Sequence, residues 1–216
     1  MADDFTKFIP EARAFLSELA LNNKREWFHD NKSRFDAQIK TPAKHLLNVI
    51  APQLSEKLDV PVTTKLFRAN RDVRFSKDKT PYTLHVHMLW TAQGATAQPS
   101  YFFGIAKEYV TAGAGIMGFD KTQQSAWRAW VSEREGDHLQ ARIDAALSQG
   151  ATLREAELKR VPAPFGKDHP RGDLLRRKSM TLWKDIESDA ASDLPAAILS
   201  AFKLFDPVMD DLRAFL

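Results

Sequence analysis

Residues 67–82 form the most strongly charged stretch of the chain and read FRANRDVRFSKDKTPY. This basic segment has five cationic and two acidic side chains, hence a net charge of +3. Its cations are Arg68, Arg71, Arg74, Lys77 and Lys79. Apolar and polar residues alternate over 67–75, which is typical of a β-strand with one buried face. The alternation places Arg71 on the apolar face with Phe67, Val73 and Phe75. Arg71 is therefore predicted to pair with a carboxylate, from Asp72 or from elsewhere.

The basic segment is predicted to lie in a β-hairpin. Residues 65–75 and 83–90 have strand patterns, and the Asp-Lys-Thr-Pro chemistry of 76–81 suits the turn between them. Further strands are predicted at 101–105, 109–117 and 179–186, with loops at 93–99 and 161–170. Glycines in the second pair of strands, Gly104, Gly113 and Gly115, indicate bulges or close approach of backbones.

Helices are predicted on both sides of these strands. Apolar residues at helical spacing predict them at 4–21, 23–39, 41–59, 122–131, 138–147, 171–177 and 192–216. Asp3 or Asp4 is the expected cap of the first helix, and Asn23 with Glu26 forms a predicted capping box for the second. The order of elements predicts an α+β protein whose mainly antiparallel sheet has N-terminal and C-terminal helices packed on it.

Composition predicts a single cytoplasmic domain over residues 1–216. The hydrophobic share of 44% and the charged share of 27% are ordinary globular values. No apolar run approaches the roughly 20 residues of a membrane span, and the acidic start MADDF has the wrong charge for a secretory signal. The absence of cysteine excludes disulfides and thiolate chemistry and fits a reducing compartment. The oligomeric state does not follow from these features.

Two motifs link the chain to a known family. The first, NN-x3-WF-x2-NK, covers residues 22–32, and the second, RD-x-RFSKDKTPY, covers residues 71–82. With these motifs the chain resembles a widespread bacterial family catalogued as a domain of unknown function. The resemblance covers most of the chain and implies a single domain, but it implies no particular activity.

The density of cations in the basic segment favours contact with an anion, because the planar guanidinium of arginine matches phosphate and carboxylate geometry. The predicted ligand-binding residues are Arg68, Arg71, Arg74, Lys77, Lys79 and Tyr82. The favoured hypothesis is that they bind a phosphorylated or other anionic small ligand. Contact with a nucleic-acid backbone and a purely structural role for the cations remain as alternatives. The net charge of +3 permits a polyanionic partner without requiring one.

Candidates for chemistry are few, and the sequence does not decide whether the protein is an enzyme. Asp72 and His169 are the candidate catalytic residues, and Asp168 either orients His169 or caps the helix that follows. His85 and His87 share one face of a strand, but no third ligand is evident, so no metal site is predicted and no cofactor is specified. Motifs for dinucleotide binding, nucleotide hydrolysis and zinc proteolysis are missing.

Two residues of the second predicted helix are expected to have packing roles. Trp27 and Asn31 lie four residues apart and therefore share a helix face. Trp27 is predicted to lie in the core, and Asn31 is predicted to hydrogen-bond backbone near the basic segment.

Overall fold

A computed structural model describes residues 5–93, 99–190 and 192–216 of the chain. Six strands are present in the described residues: β1 Val62–Leu66, β2 His85–Ala92, β3 Ser100–Ala106, β4 Val110–Ile116, β5 Thr152–Leu153 and β6 Met180–Asp185. They form one antiparallel sheet in the order β1-β2-β3-β4-β6-β5. Helices lie at both ends of the chain, so the predicted α+β class is confirmed.

The helices largely follow the predicted apolar spacing. In the described residues they are α1 Phe8–Leu21, α2 Arg25–Asp30, α3 Lys32–Phe35, α4 Thr41–Leu58, α5 Lys121–Ser132, α6 Arg134–Ser148, α7 Gly172–Leu175, α8 Glu187–Ala190 and α9 Leu194–Phe215. A π-helical segment, Asp36–Lys40, joins α3 to α4. The predicted single helix over 23–39 is therefore divided. The expected caps Asp3 and Asp4, and residues 94–98 of the predicted loop, lie outside the described residues.

The chain divides into two compact units. The first comprises residues 1–92, 102–112 and 185–200, and the second comprises residues 93–101, 113–184 and 201–216. The assignment of residues 1–216 to a single domain stays a prediction.

The core of the first unit forms where α4 packs against β1 and β2. One face of α1 is buried as its spacing predicts, with Phe8, Phe15 and Leu19 among the buried residues. On β2, every second residue from Val86 to Trp90 is buried. The buried indole of Trp90 donates a hydrogen bond to the Leu47 carbonyl of α4 at 3.0 Å, so its polar group is satisfied inside the core.

In the second unit, two glycines allow strands to approach closely, as predicted. A Cβ atom at Gly113 would lie 2.6 Å from Cε3 of Trp183. Gly115 has a φ of 138°, and a Cβ atom there would lie 2.0 Å from the Met180 carbonyl oxygen. Only glycine fits such a position without displacing the neighbouring backbone.

The first strand of the predicted hairpin lies earlier in the chain than expected, because β1 is Val62–Leu66 and shares only residues 65 and 66 with the prediction of 65–75. β1 ends at Leu66, and the antiparallel pairing with β2 continues only through the bond from Phe67 N–H to the His87 carbonyl. The prediction of a strand through residue 75 is wrong, and Phe75, predicted to face inward, is 96% exposed. The cause is local, because the Asp72 and Asp78 carboxylates accept bonds from backbone N–H groups two residues later and so favour turns over a strand.

Candidate functional site

The basic segment forms a loop whose two ends are held together by backbone pairing. Asn70 and Tyr82 form an isolated antiparallel bridge, and Arg71 N–H donates to the Pro81 carbonyl at 2.8 Å. The Asn23 side chain extends this pairing: its amide donates to the Tyr82 carbonyl at 3.0 Å, and its oxygen accepts from Tyr82 N–H at 3.1 Å. The loop is therefore anchored to the residues that precede α2.

This anchoring replaces the predicted capping box. The N-cap of α2 is Lys24, and no side chain caps it, so the prediction for Asn23 and Glu26 is wrong. The Asn23 amide instead pairs with Tyr82, since a side-chain amide presents a donor and an acceptor as a peptide group does.

Arg71 closes the loop from inside. Its guanidinium donates to the carboxylate of Asp78, to the hydroxyl of Thr80 and, at 3.3 Å, to the Thr80 carbonyl. The bond from Thr80 N–H, followed by the Arg71 contact, lowers the pKa of Asp78 to about 2. The predicted carboxylate partner of Arg71 therefore exists, and it is Asp78 rather than Asp72. Only 26% of the Arg71 side chain is exposed, which indicates a structural role.

Two other cations are also bonded within the loop. Arg74 pairs with Asp72 at 2.7 Å, and this bond lowers the pKa of the Asp72 carboxyl. Lys79 donates to the Val73 carbonyl at 3.0 Å. The remaining cations, Arg68 and Lys77, are exposed and make no hydrogen bond or ion pair with the described part of the chain.

A surface pocket of about 460 Å³ lies beside the base of this loop. Its lining residues are Arg25, Phe28, His29, Lys32, Asn70 and Tyr82. The first four follow one another at helical spacing, which places them on one side of α2 and the start of α3. The Phe28 and Tyr82 rings stack at 4.0 Å between centroids with an interplanar angle of 13°. The lining thus combines basic side chains with an aromatic pair and includes no carboxylate.

Most residues of this cation-lined pocket were not identified from the sequence. Of the six predicted ligand-binding residues, only Tyr82 lines it. Arg25, His29 and Lys32 are exposed, and Lys32 also bonds the Asp36 carboxylate. Their spacing within residues 22–32 was the available signal, because basic residues four and seven positions apart share a helix face.

The predictions for Trp27 and Asn31 need correction. Trp27 is only half-buried, with its ring 5.5 Å from that of Phe15, so it is not a core residue. The Asn31 amide donates to the Trp27 carbonyl at 2.9 Å rather than to the basic segment. The Trp27 carbonyl also accepts from the Asn31 backbone N–H at 3.1 Å, so Asn31 closes the end of α2 with both its backbone and its side chain.

His85 and His87 face the same side of β2, as predicted. Their rings stack with centroids 3.7 Å apart, and the His87 Nε2 atom lies 2.7 Å from the Tyr109 hydroxyl oxygen. Burial, with a smaller contribution from His85, lowers the pKa of His87 to about 3. Burial also lowers the pKa of His85. Within the described residues, no group of three or more His, Cys, Asp or Glu side chains is arranged to hold a metal ion.

The two candidate catalytic residues belong to different units, Asp72 to the first and His169 to the second. The Nδ1 atom of His169 accepts a hydrogen bond from Arg171 N–H at 3.1 Å. The Asp168 side chain is 86% exposed, and its nearest cationic partner is Lys167 at 3.9 Å. The N-cap of α7 is Arg171, without a side-chain bond, so the prediction that Asp168 caps this helix is wrong.

Together these features define an α+β protein with an antiparallel sheet and a cation-lined pocket in its first unit. The chain belongs to the family of conserved hypothetical proteins DUF2461, whose model matches residues 11–210. This match confirms the resemblance to a family of unknown function. A comparison with curated proteins gave no match. Over the described ranges, none of the helices has both the length and the hydrophobicity of a membrane span.

Proposed function

We propose that this protein binds a compact anion, such as the phosphate group of a small phosphorylated ligand, in the cation-lined pocket. The observation that carries the proposal is the lining itself, in which Arg25, His29 and Lys32 converge and no acidic side chain takes part. The volume of about 460 Å³ lies within the ~300–1,000 Å³ common among small-ligand sites. An anion in this position would replace water around the exposed Arg25 side chain and would share Lys32 with the Asp36 carboxylate, which is itself partly exposed.

Each part of the lining has a separate role. Arg25 can bind two oxygens of a phosphate or carboxylate at once, whereas Lys32 acts as a single charge. The Asn70 amide offers a neutral donor and acceptor. The stacked rings of Phe28 and Tyr82 offer an apolar wall, which favours a ligand with an apolar or planar part beside its charged group.

The basic segment contributes indirectly to this site. Its internal bonds, from Arg71 to Asp78 and from Asn23 to Tyr82, fix the loop to which Asn70 and Tyr82 belong. The exposed charges of Arg68 and Lys77 raise the positive potential of this part of the surface, which increases the rate at which anions arrive. Residues 68–79 were predicted to bind the anion themselves. We propose instead that they support anion binding in the pocket, by fixing two of its lining residues and by raising the positive potential around it.

We also infer that the protein acts in the bacterial cytoplasm. The motifs at 22–32 and 71–82 resemble those of a bacterial family, and the absence of cysteine suits a reducing compartment.

Calorimetric titration with inorganic phosphate, a sugar phosphate and a nucleoside monophosphate tests the anion site. Arg25→Ala and Lys32→Ala should each weaken binding by about 10-fold or more, because a hydrogen bond to a charged group contributes roughly 1.5–3 kcal/mol. Lys44→Ala, which removes an exposed lysine of α4 outside the pocket, is the matched control and should bind normally. Absence of binding by all three anions, or equal affinities for Arg25→Ala and the control, would contradict the proposal.

A further inference from the structure

Phe75 stands out among the apolar residues because its side chain is 96% exposed. It lies in the basic segment, next to Arg74, whose guanidinium carbon is 6.0 Å from the centre of the Phe75 ring. Lys77, two residues further on, is also exposed. A phenylalanine in water loses the stabilisation that burial would provide, and a ring exposed among cations offers a stacking surface to a planar, negatively charged partner.

A second aromatic residue of the segment repeats this arrangement. Phe67 is 40% exposed, and the Lys65 ammonium lies 4.6 Å from the centre of its ring. Arg68 follows Phe67 directly and is exposed without an ion pair among the described residues. Two exposed rings, Phe67 and Phe75, therefore lie among the cations of residues 65–77, a stretch that also includes the carboxylate of Asp72.

We infer that the basic segment docks single-stranded nucleic acid, with a base stacked on Phe75 and backbone phosphates held by Arg68, Arg74 and Lys77. This inference goes beyond the binding of a compact anion in the pocket and rests on side chains that do not line the pocket. Proteins that bind single strands combine exposed aromatic rings with a positively charged surface, because every base has a face that stacks and every linkage has a charge.

Charge and geometry favour this partner over two others. A double helix keeps its bases stacked on one another, so an exposed ring on a loop reaches base faces only in a single strand.

A membrane surface would need a larger apolar area, because interfacial binding scales with the apolar area that is buried. Between Arg71 and Pro81 the apolar residues are Val73, which is half-buried, and Phe75. The Arg74–Asp72 pair is no obstacle, since 76% of the Arg74 side chain is exposed and open to a phosphate.

Fluorescence anisotropy with labelled single strands of about 12 nucleotides at about 50 mM salt tests the inference. Phe75→Ala should weaken binding by about 5- to 150-fold, the range for loss of one stacked base. Phe75→Trp should retain the affinity because its larger ring also stacks. Leu21→Ala removes another apolar side chain that is 86% exposed and should leave binding unchanged.

The contacts with backbone phosphates are tested by measuring how the affinity for single strands depends on salt concentration. Lys77→Ala should reduce the dependence of affinity on salt, because each phosphate contact releases counterions from the strand. The inference is overturned if the protein does not bind single strands, if Phe75→Ala binds as well as wild type, or if a duplex of the same length binds as tightly. Phe75-dependent binding to phosphatidylserine vesicles without binding to oligonucleotides would likewise overturn it and would identify a membrane surface instead.

Discussion

Arg71 and Arg74 are three residues apart but have different environments. Arg71 bonds Asp78 and Thr80 inside the loop with 26% of its side chain exposed, whereas Arg74 pairs with Asp72 at 76% exposure. Arg71→Ala should therefore lower the free energy of unfolding by about 1–3 kcal/mol, because it removes hydrogen bonds between a charged group and acceptors that close the loop. Arg74→Ala should lower it much less, because an ion pair exposed to solvent contributes little to stability. Urea denaturation of both variants measures the difference, and equal losses would contradict this distinction.

His87 makes the stability of the fold depend on pH. Its pKa is about 3 in the folded protein, below its ordinary value of 6.5, mainly because the ring is buried. The unfolded chain binds the extra proton between these values, so stability falls as the pH is lowered through this window. His85, whose pKa burial also lowers, acts in the same direction.

The variant His87→Gln isolates this effect. Its unfolding free energy should change less than that of wild type between pH 7 and about pH 4.5, because one proton-linked group is removed. Urea denaturation at the two pH values measures the slope. A variant with the wild-type slope would show that His87 is not the source of the acid sensitivity.

At the level of single elements, the glycines of β4 determine how closely this strand approaches its neighbour. Gly115→Ala should be severely destabilising, by about 3 kcal/mol or more, because the new methyl group would meet the Met180 carbonyl at an unfavourable φ. Gly118→Ala is the matched control, since no atom lies within 4 Å of the position of its Cβ. Thermal melts should show a large loss for the first variant and almost none for the second, and similar losses would contradict the account.

Elements with long periodic patterns could be predicted from the sequence. The helix at α1 and the strand β2 follow directly from apolar spacing, whereas β1 shares only residues 65 and 66 with the strand predicted at 65–75. The loop structure of residues 67–75 could not be predicted, because their apolar and polar residues alternate as in a strand. Asp72 and Asp78 instead accept hydrogen bonds from nearby backbone N–H groups, which favours turns. β5, with two residues, is too short to have a recognisable period.

The candidate site was only partly predictable for a similar reason. Its lining comes from residues 25–32 and from Asn70 and Tyr82, two segments that are distant in the chain. Sequence motifs mark both segments, but only the fold shows that Asn23 joins them through the Tyr82 backbone. The high charge of the basic segment is evident from the sequence. The bonds that Arg71, Arg74 and Lys79 make within the loop depend on turns, and the alternation of apolar and polar residues over 67–75 does not predict those turns.

For the molecule as a whole, a net charge of +3 is modest. General attraction between a mildly basic protein and an anion is weak and is screened by salt. In the function that we propose, affinity would therefore come from the local arrangement of cations and donors in the pocket. We therefore expect the proposed site to discriminate among anions by shape and size rather than to respond uniformly to negative charge.

Anion binding in the pocket is tested most directly by a ¹H–¹⁵N NMR titration with a phosphomonoester. The expected result is a saturable change in the signals of His29, Asn70 and Tyr82, with the signal of Lys44 unaffected, because the first three residues line the pocket and Lys44 does not. Saturation without any change at these three residues, or no change anywhere at millimolar ligand, would contradict the proposed site.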